Sequence, residues 1–231
     1  MMINDLFTYD YDESLYLERL RDNIDNKNSI QDFVIDREFE SAMYDENSGL
    51  ESYLKCDAWN DDEENNTKVF LIKSKKTNII VAYFALKAGA IARGIMTESL
   101  IKQNQQYLAE KGIKRFPGVI PGIEISHFAV NDNYRKLTGV NKASYIGRYL
   151  YPKFIHPLIE EVANYIGVKL IYLFAADDDY RDGMSLSEIE QLKLIRYYRE
   201  IFGFQTIDIA DSIVPIREDY AFNSLFMYRR I

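Results

Sequence analysis

Apolar and polar positions alternate along the chain in two different periods, and the period changes at identifiable places. Between about Asp12 and Asp25, Tyr16, Leu17 and Leu20 are spaced for one face of a helix, and Phe33-Val34-Ile35 reads as a short strand. Ser48 with Glu51 three residues on has the spacing of a capping box, and Leu50, Tyr53, Leu54 and Ala58 continue as a helical stripe. The acidic stretch 61–66 reads as a solvated loop. A hairpin follows: Val69 to Ile72, a turn at Lys75-Lys76-Thr77-Asn78, then Ile79 to Leu86. The next segment is less patterned, with a helix expected over about Thr97 to Lys111, a stop at Gly112, and loop at Pro117 and Pro121.

Ile123 to Val130 is a strand with partial alternation, and Asn131 to Ser144 reads as a polar turn. A long helical stretch runs from about Tyr145 to Ile166. Pro152 and Pro157 predict a kink or break inside it, and Gly167 is its C-cap. Lys169 to Ala175 is a buried strand, Asp177 to Gly183 a loop, Leu186 to Phe202 a helix stopped at Gly203, and Phe204–Ile209 and Phe222–Tyr228 closing strands. This order is α/β (α+β), with a parallel crossover at its centre. The turn after Val130 ends at a helix N-terminus, where free N–H groups and the helix dipole favour an anion. Lys142, Gly147 and Arg148 lie there, which points to a phosphate-like ligand.

Composition narrows this without redirecting it. The 231 residues suit one domain, 1–231, in which 1–45 is an N-terminal extension. Hydrophobic residues at 47% and charged residues at 28% describe an ordinary globular chain, and 18 Tyr with 13 Phe supply many rings for half-buried positions and are compatible with a homodimer. The single cysteine, Cys56, excludes an internal disulfide framework and a Cys-based zinc cluster. Asp177, Asp178, Asp179 and Asp182 lack the spacing of a calcium loop, so no metal is expected. No signal-like segment or long apolar run is present, so the expected location is the cytoplasm and no membrane partner is expected. The net charge of −8 argues against non-specific hold on nucleic acid, although Lys111-Gly112-Ile113-Lys114-Arg115 forms a basic patch and tRNA stays open.

Three stretches carry a resemblance: Ile125 to Val130, Tyr145 to Leu150, and Ile195 to Phe204 with its Tyr-Tyr ahead of Gly-Phe. They resemble the GNAT superfamily of N-acetyltransferases. Upstream, Ser48–Ala58 and Val81-Ala82-Tyr83-Phe84-Ala85-Leu86-Lys87-Ala88-Gly89 resemble its toxin-like branch. The resemblance covers roughly 46–230. It implies a mixed, largely antiparallel sheet with one splayed parallel pair, flanked by helices, and acetyl-CoA as co-substrate.

It also implies roles. Phe128, Ala129 and Val130 would offer backbone to the pantetheine arm, and Lys142, Ser144, Tyr145, Ile146, Gly147 and Arg148 would hold the pyrophosphate. The turn motif keeps its last Gly, with Lys142 for the usual Arg or Gln and Tyr145 where Gly is usual. Tyr198 would protonate the leaving thiolate. Tyr197 competes with it, because the count back from Gly203 is one residue long. Glu124 and His127, three apart on one strand, project to opposite faces, and either could take the amine proton. The toxin-like branch commonly has Arg where His127 stands. Three functions follow: an N-acetyltransferase of an unknown primary amine, a toxin-like enzyme acting on aminoacyl-tRNA, or a non-catalytic interaction module on a CoA-binding fold.

Overall fold

In a computed structural model of the chain, residues 14–35, 49–93, 119–138, 143–176, 179, 181, 184–206, 213–215 and 224–231 are described. The helix expected over 97–111 and most of the 177–183 loop lie outside them, as do 207–209 and 222–223 of the closing strands. The strands are β1 (Leu15–Arg19), β2 (Lys68–Ser74), β3 (Ile80–Arg93), β4 (Val119–Val130), β5 (Leu170–Ala176), β6 (Gln205–Thr206), β7 (Ile213–Pro215) and β8 (Ser224–Arg230). They form one mixed sheet in the order β1-β2-β3-β4-β5-β8-β6, with β7 pairing to β3. The β4–β5 pair is parallel, and the pairs β1–β2, β2–β3, β3–β7, β5–β8 and β6–β8 are antiparallel. By compactness the chain divides into Met1–Leu86 with His127–Leu150, and Lys87–Ser126 with Tyr151–Ile231.

In the first unit, the β2–β3 hairpin matches the sequence reading. Asn78 closes its turn at φ 57°, a left-handed conformation that Asn tolerates, and its N–H reaches the Ser74 carbonyl at 2.8 Å. The segment expected as a helix over 12–25 is different. Its Leu15–Arg19 stretch is β1, paired with β2 from Leu15↔Ser74 to Arg19↔Phe70, and only Leu20–Asp22 turns, as a 3₁₀ helix. Pairing along the open edge of β2 overrides a helical spacing that only three apolar residues supported.

Helix α1 runs from Leu50 to Glu63, with a π turn at Tyr53–Asp57 that leaves Cys56 exposed. Its N-cap is Gly49, without a side-chain cap; Ser48, the expected capping residue, lies outside the described residues, and Glu51 accepts the Ile35 N–H at 2.8 Å. The acidic run is also not simply a loop: Asp61 to Glu63 form the last turn of α1. Asp62 is fully buried, ion-paired with Arg19, and accepts the Val69 N–H at 2.8 Å, while Lys68 Nζ reaches its carbonyl at 2.9 Å. Burial alone would raise its pKa, but Arg19, the Val69 amide and Lys68 outweigh that and hold it below the usual carboxylate range. Lys73, also buried, is met by Glu18 Oε2 at 3.0 Å and Asn26 Oδ1 at 2.9 Å. Leu20, Phe33, Leu54, Val69, Leu71 and Tyr83 lead the apolar core between α1 and the strands.

The polar turn expected over 131–144 contains a helix, α2 (Asp132–Thr138). Asn131 organises it. Its Oδ1 accepts the Asn133 N–H at 3.0 Å as a helix N-cap and the Val34 N–H at 3.2 Å, while its Nδ2 donates to the Ile80 carbonyl at 2.7 Å. Phe33–Ile35 is accordingly extended but pairs with a loop residue and is not a sheet strand.

In the second unit, β4 begins at Val119, so Pro121, expected in a loop, lies within a strand, its carbonyl accepting the Lys169 N–H at 3.3 Å. The long helix is α3 (Ala143–Leu150), a π turn (Tyr151–Ile155) and α4 (His156–Ile166). Pro152 falls in the π turn and Pro157 in the first turn of α4, where a missing N–H costs least. The expected helix 186–202 is two: α5 (Leu186–Ile189) and α6 (Lys193–Phe202), separated at extended Leu192. A reciprocal capping box opens the first, with Ser185 N–H to Glu188 Oε2 at 2.8 Å and Glu188 N–H to Ser185 Oγ at 3.4 Å.

Gly203 ends α6 at φ 71° and ψ 21°. A Cβ there would meet nothing closer than 3.9 Å, so Gly203→Ala tests backbone strain alone. It should cost about 1–2 kcal/mol, seen as a fall of roughly 2–8 °C in Tm by calorimetry.

Candidate active site

The parallel β4–β5 register consists of Gly122↔Leu170, Ile123↔Ile171 and Glu124↔Tyr172. There it ends, while β4 continues to Val130 and β5 stays paired with β8 as far as Ala176↔Ser224. Glu124 therefore stands at the last shared position of the parallel pair. It is 2% exposed, and Tyr172 Oη donates to its Oε2 at 3.1 Å.

His127 belongs to the first unit and has different surroundings. Its imidazole lies flat on the Tyr53 ring, with centroids 3.6 Å apart and planes 3° from parallel. Tyr53 is itself pinned by a 2.9 Å hydrogen bond with Thr67 Oγ1, and burial raises its pKa well above that of a free phenol. Glu124 and His127 thus have separate partners, in keeping with their opposite projection from β4. Ala129 is buried in the first unit's core, and Phe128 and Val130 are half-buried.

The expected pyrophosphate segment is more helical than the sequence reading had it. Lys142 lies outside the described residues, and Ser144 and Tyr145 fall in the first turn of α3. Ile146 and Gly147 are buried in that helix and Arg148 is exposed. The conformational freedom of Gly147 is not used for a turn. What the segment presents is a helix N-terminus, whose first amides lack intrahelical partners.

Tyr197 and Tyr198 lie on α6. The Tyr198 ring packs on Phe202 at 5.8 Å, Phe204 at 6.1 Å and Tyr197 at 6.0 Å, and Tyr197 sets its edge against Phe202 at 5.1 Å. Burial raises the Tyr198 pKa, and the neighbouring Tyr197 and Tyr151 hydroxyls add to it, so the phenol keeps its proton throughout the physiological range. The Gly203 N–H reaches the carbonyls of both Arg199 and Tyr198, and the Phe204 N–H also bonds to Tyr198.

No family model matches the sequence, and no curated protein matches it either. Solved structures do match. A tyrosine-to-phenylalanine mutant of KacT is 13% identical with TM-score 0.51, covering 93% of this chain and 94% of that one. The corresponding AtaT mutant toxin is 13% identical with TM-score 0.54, covering 96% and 93%. AtaT complexed with acetyl-methionyl-tRNAfMet is 14% identical with TM-score 0.51, covering 92% and 93%. The chain has the fold of AtaT and KacT. At this identity the likeness speaks for the fold, and it agrees with the mixed GNAT-like sheet expected from the sequence.

Within that AtaT-like fold, two side chains escaped the sequence reading. In the sequence Tyr172 is one residue of a buried strand run, and its bond to Glu124 joins residues 48 apart in the chain. Tyr151, in the π turn, is 3% exposed and stacks on Phe202 at 4.1 Å. Burial pushes its phenol up to about 12, against a lowering by Arg229. Tyr151 follows Tyr149 and precedes Pro152, so only the proline marked the place in sequence.

Proposed function

We propose that this protein is an N-acetyltransferase that moves the acetyl group of acetyl-CoA onto a primary amine by direct attack. The observation that carries the reading is the parallel β4–β5 pair, which ends at Glu124↔Tyr172 with the Glu124 carboxylate buried at its last shared position. The likeness to AtaT supports it, since a structure of AtaTR bound with AcCoA, 14% identical with TM-score 0.50 and covering 92% of each chain, has the same fold.

In this reading the backbone of Phe128 to Val130 pairs with the amides of the pantetheine arm, as an added strand would. The first amides of α3, with Lys142 and Arg148, receive the pyrophosphate. Glu124 takes the proton of the attacking amine through a water. As the new C–N bond forms, the C–S bond breaks and Tyr198 Oη–H delivers its proton to sulfur. The raised pKa of Tyr198 does not spoil this role, because an apolar setting also makes the departing thiolate more basic. Holding amine and thioester together supplies the largest share of the acceleration, up to about 7–11 kcal/mol in well-oriented systems. The setting is read as cytoplasmic, and no helix among the described residues is long and apolar enough to cross a membrane.

Aminoacyl-tRNA is the acceptor favoured by a specific observation, the likeness to AtaT complexed with acetyl-methionyl-tRNAfMet. The net charge of −8 weighs against a broad phosphate-binding surface, so any tRNA contact would rest on local cations. Calorimetric titration with acetyl-CoA should show binding below millimolar ligand, and none at that concentration would overturn the proposal in favour of an interaction module. Thiol release should then appear with one acceptor in a screen of amines, amino acids, polyamines and aminoacyl-tRNAs. A charged tRNA substrate should bind more weakly as salt is raised, and indifference to tRNA would return the acceptor to the small amines.

A further inference from the structure

Tyr172 has no part in the roles assigned above, yet three strands are shaped around it. The register sets it beside Glu124, its hydroxyl 3.1 Å from the carboxylate. Its ring lies across β4 at Gly122, where an added Cβ would sit 3.0 Å from two ring carbons. Its hydroxyl rests on β3 at Gly89, where a Cβ would fall 1.8 Å from the oxygen. Any side chain at Gly89 would therefore displace the phenol. Behind the ring stand Phe174 at 6.2 Å and Phe226 at 5.7 Å, with Ile91 and Leu170 in the same apolar cluster.

Packing does not account for this arrangement. A phenylalanine would fill the cluster as well, and a carboxylate 2% exposed beside it costs several kcal/mol unless hydrogen bonds compensate. The donor is on the strand that parts from β4 immediately after this pair, and it fixes the carboxylate where the parallel register ends. We propose that Tyr172 is a positioning residue for the transfer reaction, held by the Gly89 and Gly122 clearances so that its hydroxyl orients the Glu124 carboxylate for proton removal. The inference rests on the acetyltransferase reading and on Glu124 as its base.

The test uses the full chain and thiol release from acetyl-CoA, with the best amine of the screen or, failing one, with water as acceptor. Tyr172→Phe keeps the ring and removes the donor. It should lower kcat roughly tenfold with KM for acetyl-CoA unchanged, a part of the 10²–10⁴-fold that general acid–base catalysis contributes. In a Glu124→Gln background the same change should add almost nothing, since there is no base left to orient. Gly89→Ala should reproduce the kcat loss by moving the hydroxyl while Tyr172 is still present. Equal losses from Tyr172→Phe with and without Glu124, or a loss confined to KM and thermal stability, would overturn the positioning role. Full activity of Tyr172→Phe would overturn it as well. Absence of thiol release from the wild-type chain would instead strike the acetyltransferase reading, and this inference with it.

Discussion

Tyr198→Phe is expected to lower kcat about a hundredfold while leaving the Kd for acetyl-CoA within about twofold. The substitution keeps the ring that packs on Phe202 and Phe204, so the aromatic cluster should stay intact and thermal unfolding should be nearly unchanged. It removes only the proton that the sulfur would receive. The thiolate would then have to leave unprotonated from apolar surroundings, where a charged leaving group is at its least stable. Tyr197→Phe is the paired control. A loss confined to Tyr197→Phe would transfer the acid role to that residue, and two unimpaired variants would leave the reaction without a phenolic acid.

Asp62→Ala is expected to destabilise the protein by about 3 kcal/mol at pH 7, measured by urea unfolding. The carboxylate is the common acceptor for Arg19 and the Val69 amide, and it ties the end of α1 to β1 and β2. Removing it strands a guanidinium and a buried N–H; the cost sits at the low end for buried pairs because Arg19 is partly exposed. Asp62→Asn should lose less, since its amide oxygen can still accept from Val69. The sign of the pH dependence follows from the lowered pKa in the folded protein. The stabilisation is present above the ordinary aspartate range, near pH 4, and fades as pH falls from there through the lower folded value. The wild type and Asp62→Asn should therefore converge in stability on acidification. A gap that did not narrow as pH fell below about 4 would show that the ion pair is not its source.

What the sequence disclosed, and what it hid, follows the reach of each interaction. The β2–β3 hairpin and the stops at Gly167 and Gly203 were legible because turn chemistry is local, within a few residues of Asn78 or of a left-handed glycine. The burial of Asp62 was hidden because its partner Arg19 lies 43 residues away. β1 looked helical because Tyr16, Leu17 and Leu20 fit a helix as well as a strand, and only the free edge of β2 decides between them. The capping-box spacing is realised by Ser185 and Glu188, while Glu51 bonds to Ile35 and Ser48 lies outside the described residues. At the candidate site, Glu124 and His127 could be named from residue type and strand position, and Tyr197 and Tyr198 from the family resemblance. Tyr172 could not, because its meaning depends on a bond to one strand and a glycine on another.

Among the described residues β1 is the end strand of the sheet, a position with consequences in a crowded solution. A strand at the end of a sheet offers unpaired N–H and C=O groups to any passing chain, and long flat edges recruit copies of themselves. β1 is five residues long and carries Glu18 and Arg19, both tied by ion pairs to Lys73 and Asp62. At the other end of the strand order, β6 has two residues among those described. Short edges with anchored charges give an incoming strand little length to zip along and a desolvation penalty at each step. The same salt bridges that fasten β1 to its unit thus hold charge where an incoming strand would have to pair. A chain lacking its first twenty residues would lay bare the longer, more apolar β2 and become prone to aggregate.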